Sequence, residues 1–455
     1  METLGDLLAE TVRSARTAFP DLDFVRPAGQ LHIALAPTVV DRVRVELASP
    51  SILRLQSLGL STTPALSPAE LASRVTITAS SFAEGFRETF DPERLLDAEH
   101  PQGVQIRTEH EDLPWAEVAL AEPVELTALH LRGIAARAAI ESRDVRVRIG
   151  SPGAGLVTVY DAPSRTEELQ AWVRARAVDV PEDLRPTFDL LAGPLALTVA
   201  GHYQPARAAM KSAAKQLTDE ARREFVRTVS EGVLHDRSLD WTAHGPTRSF
   251  RFWSAEEKQD YVRSTVAVAD ALRGLTPHVC FGYGAALAVV RDGDLIPHDD
   301  DLDLLVAFEP DEAATLPEAH TRVENFLRSR GFTVKGDFFG HRHVAPAAGG
   351  KNVDVFSALF EGDRIAWYPG TRGALDRATM FPTSEQELLG VTVPLPADPV
   401  RYLETIYGPG WSTPDPAFKH RWRKKDFADQ ATTPAPQPAP ERRPGWLGRL
   451  RQSWR

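Results

Sequence analysis

The sequence contains a single cysteine, Cys280, among its 455 residues. One cysteine excludes an intramolecular disulfide and a cysteine-rich zinc site, and it is compatible with a reducing compartment. Its apolar neighbours Val279 and Phe281 predict a buried thiol. The chain also lacks a run of ~20 apolar residues that would span a bilayer, and its first residues lack the apolar core of a secretion signal. We therefore expect a cytoplasmic protein.

The chain has no excess of positive charge. Its 52 Lys and Arg residues against 63 Asp and Glu residues give a formal net charge of −11. Nucleic-acid binding favours a basic surface, so no nucleic-acid partner is expected. The hydrophobic content of 42% and the charged content of 25% are typical of a soluble globular protein. Because the length exceeds what one hydrophobic core usually organises, two or three domains are expected.

Changes in sequence pattern divide the chain into five parts. Residues 1–29 carry apolar residues at helical spacing, 30–162 contain short alternating segments between turn-forming residues, and 163–247 return to helical spacing. From 248 to 428, helix and strand patterns alternate as in an α/β domain. Residues 429–455 begin as a Pro/Ala/Gln linker that cannot build a core. The pattern predicts an N-terminal helix, an all-β sandwich, a helical connector, an α/β domain and a disordered tail.

The β region carries a recognisable set of segments. Its alternation predicts separate short strands, among them Leu31–Leu35, Arg42–Leu47, Ala116–Leu120 and Val124–Leu131. The segments ASSFAEGF (79–86), WAEVALAEPVELTALHLRG (115–133) and VRVRIGSPGAGLVTVYDA (145–162) resemble the discoidin, or coagulation-factor 5/8 type C, family. The resemblance implies a jelly-roll sandwich whose end loops bind glycans or lipid head groups. Trp115 and Tyr160, taken singly, are expected to be core aromatics.

The end of the tail, ERRPGWLGRLRQSWR, interleaves arginine with tryptophan and leucine. A basic amphipathic stretch could contact an anionic membrane surface, which would place the protein peripherally at the inner face of the membrane. The alternative is a disordered solubilising tail.

Carboxylates are concentrated immediately before an apolar, strand-like segment. Asp299, Asp300, Asp301 and Asp303 fill four of five consecutive positions. Since strand residues alternate between faces, Asp301 and Asp303 should project together, with ~6–7 Å between their Cα atoms. Two like charges so close repel each other unless a cation or a proton lies between them. Mg²⁺, which prefers carboxylate and phosphate oxygens, is the expected cation, with Mn²⁺ as an alternative.

The segment GAALAVVRDGDLIPHDDDLD (284–303) resembles the LicD family, which includes the fukutin-related proteins, within the nucleotidyltransferase fold. The match runs without insertion or deletion from Gly284 through Arg291 to the four acids. It continues at NVDVF (352–356), which supplies a further acid, Asp354. It continues again at Val393–Pro396 and at YLETIYGPGW (402–411), so the resemblance covers about 255–425. Ala285, Ala288 and His298 depart from the pattern, where the family carries a hydroxyl, a second glycine and a tryptophan.

The resemblance implies roles for individual residues. Asp301 and Asp303 would be catalytic metal ligands, and Asp354 would complete the metal site or take the acceptor's proton. The implied substrate- or phosphate-binding residues are Gly284, Arg291, His298 and Lys351. Further candidates are Lys419 and Arg421.

Several neighbouring residues keep alternative interpretations. Asp299 and Asp300 could orient the turn, contact metal-bound water or be solvated loop acids. Arg291 could steer a phosphate, but pairing with one of these two acids is favoured. His341 and His343 alternate on a predicted strand and so face one way, but without a placed third ligand they do not predict a zinc site.

The predicted function is an Mg²⁺-dependent LicD-type phosphotransferase. It would move a substituted phosphate, such as phosphocholine or an alditol phosphate, from a CDP-activated donor to a sugar hydroxyl of a cell-envelope glycan. The first alternative is a nucleotidyltransferase that moves an NMP from an NTP to a small acceptor. The second is a catalytically decayed adaptor that binds glycan or membrane, for which Ala285 is the argument.

Overall fold

The computed structural model describes residues 3–27, 29–133, 143–346, 349–415, 418, 420 and 423–431. The chain divides into two compact units, Met1–Phe252 and Trp253–Arg455. Among the described residues, no helix has both the length and the apolar character needed to cross a membrane. The tail from residue 432, with its predicted membrane contact, lies outside the described residues.

A main antiparallel sheet organises the first part of the first unit. The strands of this unit are β1 (Gln30–Leu47), β2 (Arg54–Leu55), β3 (Ser57–Thr63), β4 (Val75–Ala79), β5 (Ile106–Arg107), β6 (Trp115–Arg132), β7 (Val145–Gly150), β8 (Leu156–Asp161), β9 (Asp240–Thr242) and β10 (Gly245–Thr247). The order in the main sheet is β3-β6-β1-β7-β8, and β4 also pairs with β6. Strands β2 and β5 pair with each other, as do β9 and β10.

The two longest strands each join segments that were predicted as separate strands. Strand β1 joins Leu31–Leu35 to Arg42–Leu47, and β6 joins Ala116–Leu120 to Val124–Leu131. Pro37 and Pro123 lie inside these strands, at places where the pairing of β1 with β6 shifts register. Proline cannot donate to the ladder, but a bulge tolerates it, so each strand continues through the register shift instead of ending. The prediction of separate strands was therefore wrong.

The main sheet buries one shared core. Both ends of the long strands contribute to it, together with β3 and β7; members include Leu31, Val43, Leu58, Val118, Leu129 and Val147. Tyr160 is buried, as predicted, whereas Trp115 is only half-buried and its ring lies beneath the Arg44 guanidinium at 4.2 Å. This strand-rich region is compatible with the predicted all-β sandwich.

The helices of the first unit are α1 (Leu4–Ala18), α2 (Pro68–Ala72), α3 (Phe86–Thr89), α4 (Pro92–Leu96), α5 (Ala162–Ala175), α6 (Arg185–Val199), α7 (Tyr203–Ala213) and α8 (Asp219–Val229). Helix α1 packs with α5 to α8 around a second core, whose members include Leu8, Val12, Leu169, Phe188, Leu195 and Phe225. The predicted N-terminal helix and the helices of the predicted connector thus share one core.

The second unit is an α/β domain. Its strands are β11 (Val279–Gly282), β12 (Asp303–Phe308), β13 (Thr333–Lys335), β14 (His341–Ala345), β15 (Val353–Glu361), β16 (Arg364–Trp367), β17 (Leu375–Asp376), β18 (Ser384–Leu388) and β19 (Val391–Leu395). Its helices are α9 (Ala255–Arg273), α10 (Tyr283–Leu287), α11 (Leu316–Arg328), α12 (Arg377–Met380) and α13 (Pro399–Tyr407). Helix α9 begins directly after Ser254, which caps it in a reciprocal capping box with Glu257.

The central sheet of this unit has the order β11-β12-β15-β14-β13, with β16 added to β15 and β17 to β16. Strands β12 and β15 are parallel, whereas the other pairs are antiparallel. Strand β15 is buried along nearly its whole length, as expected of a central strand. The predicted fold class, a multidomain chain with an N-terminal β region, helices and a C-terminal α/β domain, is confirmed.

Candidate active site

The predicted acids meet at one edge of the second unit's sheet. Strands β12 and β15 both begin at this edge, and their parallel register sets Asp303 directly beside Asp354. Strand β11 ends there, with Gly282 paired to Asp303 on its other side. Paired residues on adjacent strands point to the same face of a sheet, so the two carboxylates project together.

Asp301 joins this pair. One carboxylate oxygen from each of Asp301, Asp303 and Asp354 lies within 4.8 Å of the others. Burial, reinforced by the charges of Asp301 and Asp354, holds the pKa of Asp303 well above its usual range. The chain has therefore placed several oxygen ligands where their mutual repulsion favours uptake of a cation. We call this trio of aspartates the carboxylate group.

A buried tyrosine holds the two acid-bearing segments together. The Tyr261 hydroxyl, on α9, accepts the Leu302 N–H at 3.1 Å and donates to the Asn352 carbonyl at 2.5 Å. The Asp354 N–H donates to the Leu302 carbonyl at 3.0 Å. One side chain thus fixes the residues immediately before Asp303 and before the start of β15. Sequence reasoning missed Tyr261, since its partners are main-chain atoms distant in the sequence.

Asp299 and Asp300 lie beside the carboxylate group in different environments. Asp299 accepts the Asp300 N–H at 2.9 Å, which shapes the turn. Asp300 is buried, and its carboxylate lies 3.8 Å from Lys351 Nζ. The same ammonium lies 5.3 Å from the centre of the Trp253 ring. The predicted phosphate-binding Lys351 is therefore at the site and brings positive charge to its rim.

Gly284 lies where the chain has no room for a side chain. A Cβ at this position would come within 2.7 Å of the Asp299 carboxylate. The preceding Tyr283 has φ of 43°, and its N–H donates to the buried Tyr402 hydroxyl at 2.8 Å. The glycine therefore allows Asp299 to approach the turn closely, and Tyr402 holds the strained residue beside it. Ala285, which follows, is fully buried.

Two predicted substrate contacts have other surroundings. Arg291 forms a two-pronged ion pair with Asp292, at 2.8 Å for both contacts. Its partner is this adjacent acid, so the favoured pairing with Asp299 or Asp300 was wrong. His298 lies half-buried in the turn before Asp299. Lys419 and Arg421 lie outside the described residues.

Two histidines flank Asp354. His343 Nδ1 lies 2.6 Å from Asp354 Oδ1, and His341 Nε2 lies 3.6 Å from Oδ2. The alternation of these histidines was visible in the sequence. Their proximity to Asp354 was not, because it depends on the pairing of β14 with β15.

Residues 278–398 match the family model described as LicD/FKTN/FKRP, nucleotidyltransferase domain. The second unit therefore contains a LicD-type domain, as its sequence resemblance implied. The match spans well under half of the chain. It supports a phosphotransferase- or nucleotidyltransferase-like enzyme function for this unit, and the acids described above are groups that could hold the metal such an enzyme uses.

Other comparisons are weaker. No curated protein matches this chain. A solved structure described as "Crystal Structure of ANT(2")-Ia in complex with adenylyl-2"-tobramycin" is similar with a TM-score of 0.24 and 15% sequence identity, covering 37% of this chain and 86% of that chain.

Proposed function

We propose that this protein is an Mg²⁺-dependent LicD-type phosphotransferase. It transfers a substituted phosphate, such as phosphocholine or an alditol phosphate, from a CDP-activated donor to a sugar hydroxyl of a cell-envelope glycan. The observation that carries the proposal is the carboxylate group, whose ligand oxygens lie within 4.8 Å of one another inside the LicD-type domain. Mn²⁺ is the alternative metal.

The three aspartates would hold the metal. When bound, Mg²⁺ supplies positive charge to the phosphates and to the leaving group. Asp303 would be the central ligand, since it pairs with Asp354 in the parallel register of β12 and β15 and follows Asp301 by two residues. Asp354 completes the site or accepts the proton of the attacking hydroxyl, and its contact with His343 orients the carboxylate for either role. Lys351, whose ammonium lies 3.8 Å from the Asp300 carboxylate, would attract the phosphates of the donor.

An aromatic cavity within the same unit would receive the donor's base. It has a volume of about 250 Å³, and Pro369, Tyr407 and His420 contribute to its lining. The Tyr407 and His420 rings lie 5.4 Å apart, and the His420 ring lies 5.0 Å from that of Tyr283, which precedes Gly284. Aromatic faces suit a planar base, and this cavity adjoins the turn at the acid edge.

A cleft in the first unit would hold the acceptor glycan. It measures about 1090 Å³ and is lined by β3, α2, α4 and one end of β6. Ser61 Oγ lies 3.1 Å from His130 Nε2 in its wall, and Arg132 and Asp97 also line it. Polar groups of both signs on a strand-rich scaffold suit the hydroxyls of a sugar.

We also propose a cytoplasmic location, peripheral at the inner face of the membrane.

The alternative is transfer of an NMP from an NTP to a small acceptor, since the same acids serve both reactions. Incubation of the protein and Mg²⁺ with CTP, ATP or CDP-choline distinguishes them by which nucleotide is consumed. Consumption of CDP-choline with release of CMP supports the phosphotransferase. Pyrophosphate release from CTP or ATP supports the nucleotidyltransferase, and a lack of nucleotide-dependent Mg²⁺ binding supports a decayed adaptor.

The residue assignment is tested with Asp301→Ala and Asp303→Ala. Each should lose metal-dependent transfer by about 100-fold or more, the size of effect expected when charge stabilisation in the transition state is lost. Asp294→Asn is a matched control, because Asp294 lies in the same loop but pairs with Lys258 at 2.8 Å. Undiminished transfer in folded Asp301→Ala and Asp303→Ala proteins would refute the assignment.

A further inference from the structure

The histidines of β14 form a second group of potential ligands with Asp354. In the antiparallel register of β14 and β15, His343 lies directly opposite Asp354, and His341 lies two residues earlier on the same face. One ligand atom from each of the three residues lies within 4.8 Å of the others. We call this trio the histidine group.

The histidine group differs chemically from the carboxylate group. The carboxylate group offers oxygen only, the ligand atom that Mg²⁺ prefers. The histidine group offers two imidazole nitrogens and one carboxylate oxygen, a set that suits zinc and similar first-row transition ions. Asp354 belongs to both groups, and its two oxygens face different histidines.

We propose that His341, His343 and Asp354 form a second cation site for a divalent transition ion of the zinc type. Asp354 links this site to the carboxylate group, and only through that shared residue does the proposal rest on the proposed function. The 2.6 Å contact between His343 Nδ1 and Asp354 Oδ1 holds two of the ligands together. A bound ion would take the place of the proton in that contact.

The ligands are open enough for a metal to enter. The side chains of His341, His343 and Asp354 are 17%, 42% and 12% exposed. Three protein ligands also leave coordination positions for water or a substrate oxygen, as in catalytic rather than structural zinc sites. A metal here would carry positive charge to the β14 side of Asp354, whereas Asp303 pairs with Asp354 from β12.

A second histidine pair provides a matched control. His32 and His130 lie on paired strands of the first unit, with their Nδ1 atoms 3.2 Å apart. Among the residues that the structure describes, this pair belongs to no group of three ligands within the same reach. Two neighbouring imidazoles are thus compared with and without a third ligand.

The test is a titration of the full-length protein with Co²⁺, followed by visible absorption, in excess Mg²⁺ that occupies the carboxylate group. The wild-type protein should bind one Co²⁺ with nitrogen-type ligand-field bands. His341→Ala and His343→Ala should each weaken this binding at least about tenfold, because even outer-shell partners of metal ligands contribute that much to affinity. His130→Ala should bind Co²⁺ like the wild-type protein.

Equal Co²⁺ binding by the wild-type protein and the folded double variant His341→Ala/His343→Ala would overturn the proposal, as would no Co²⁺ binding by wild-type protein. If the variants do not fold, the wild-type protein loaded with one equivalent of Cu²⁺ decides: imidazole nitrogen couplings in its EPR spectrum support the site, and their absence refutes it. Asp301→Asn separates the two proposals. It should retain Co²⁺ binding, because Asp301 does not belong to the histidine group. Full transfer activity in Asp301→Asn would therefore count against the proposed function and not against the second cation site.

Discussion

The two units handle charge below the surface in opposite ways. In the first unit, the buried Arg237 donates to the carbonyls of Thr198 and Val199, to the Tyr203 hydroxyl and to Asp23. In the second unit, burial raises the pKa of Asp303, and the charged neighbours that raise it further are all carboxylates. One charge is neutralised and hydrogen-bonded by the chain itself. The other is surrounded by charge of its own sign.

This difference separates a structural charge from a functional one. A buried charge costs several kcal/mol unless partners compensate it, and Arg237 has such partners within its own unit. The carboxylate group carries repulsion that a cation would relieve. A fold that keeps such a group exchanges stability for affinity toward a cation. Removal of the Asp303 charge should therefore stabilise the metal-free protein, whereas removal of the Arg237 charge should destabilise it.

The largest effect is expected for Asp303→Asn. Transfer activity should fall by at least about 100-fold, while the metal-free variant should unfold at a higher temperature than the wild-type protein. Relief of each kcal/mol of repulsion should raise the Tm of a domain of this size by roughly 2–4 °C. Calorimetry in chelator measures the shift. Asp21→Asn is the contrasting variant, because Asp21 pairs with Arg165 at 2.8 and 2.9 Å, and its loss should lower the Tm. The comparison fails if both variants move the Tm in the same direction.

Arg237→Met should destabilise the first unit by about 3–5 kcal/mol, since Asp23 and two carbonyls would lose their buried donor. Urea unfolding followed by circular dichroism measures the loss. Arg13→Met is the control, because Arg13 on α1 is exposed and pairs with the nearby, half-exposed Glu10. A loss in Arg237→Met as small as that in the control would show that the buried arginine is not a structural charge.

The sequence predicted features that depend on neighbouring residues. The apolar strand that follows the acids is such a local feature, and the structure has it as β12. The match at Asp354 was also found, because the family resemblance carries its own information about distant strands. The meeting of Asp354 with Asp303 then follows from the parallel pairing of β12 and β15.

Features that depend on tertiary pairing could not be predicted. Pro37 and Pro123 indicate strand ends until the pairing of β1 with β6 is known, with its shifts of register. The contact of His343 with Asp354 requires the register of β14, and Tyr261 acts on main-chain atoms that carry no sequence signal. Arg291 was assigned to a distant acid when an adjacent one was within reach.

Tyr261→Phe tests how firmly the acid edge is held. The variant loses two hydrogen bonds in the interior, from Leu302 and to Asn352, so the second unit should lose about 1–3 kcal/mol of stability. Because the same bonds position the starts of two acid-bearing segments, kcat/KM should fall by about tenfold. Thermal unfolding and initial rates measure these effects. Tyr203→Phe, which removes a hydroxyl partner of Arg237, should leave kcat/KM unchanged. An equal loss of kcat/KM in both variants would refute a specific role for Tyr261.

The smallest expected effect is on how stability depends on pH, which should have opposite sign in the two units. Because the pKa of Asp303 is raised in the fold, the folded second unit takes up a proton at a higher pH than the unfolded chain does, so its metal-free stability should rise as pH falls toward about 4. Burial alone would raise the pKa of Asp161, but hydrogen bonds from Ser164 and Arg146 lower it overall. Its contribution to the first unit is therefore present above pH ~4 and is lost as pH falls further.

Calorimetry across pH 3 to 7 in chelator measures both trends, with a slope of at most about 1.4 kcal/mol per pH unit for each proton. Asp303→Asn should remove the stability that the second unit gains on acidification. Asp161→Asn should reduce the stability that the first unit loses on acidification. Saturating Mg²⁺ should also remove that gain, because a bound cation favours the ionised carboxylates that a proton would otherwise neutralise. If the second unit instead loses stability from pH 7 to pH 5 in chelator, the carboxylates are already neutralised by the chain, and the contrast between the two units does not hold.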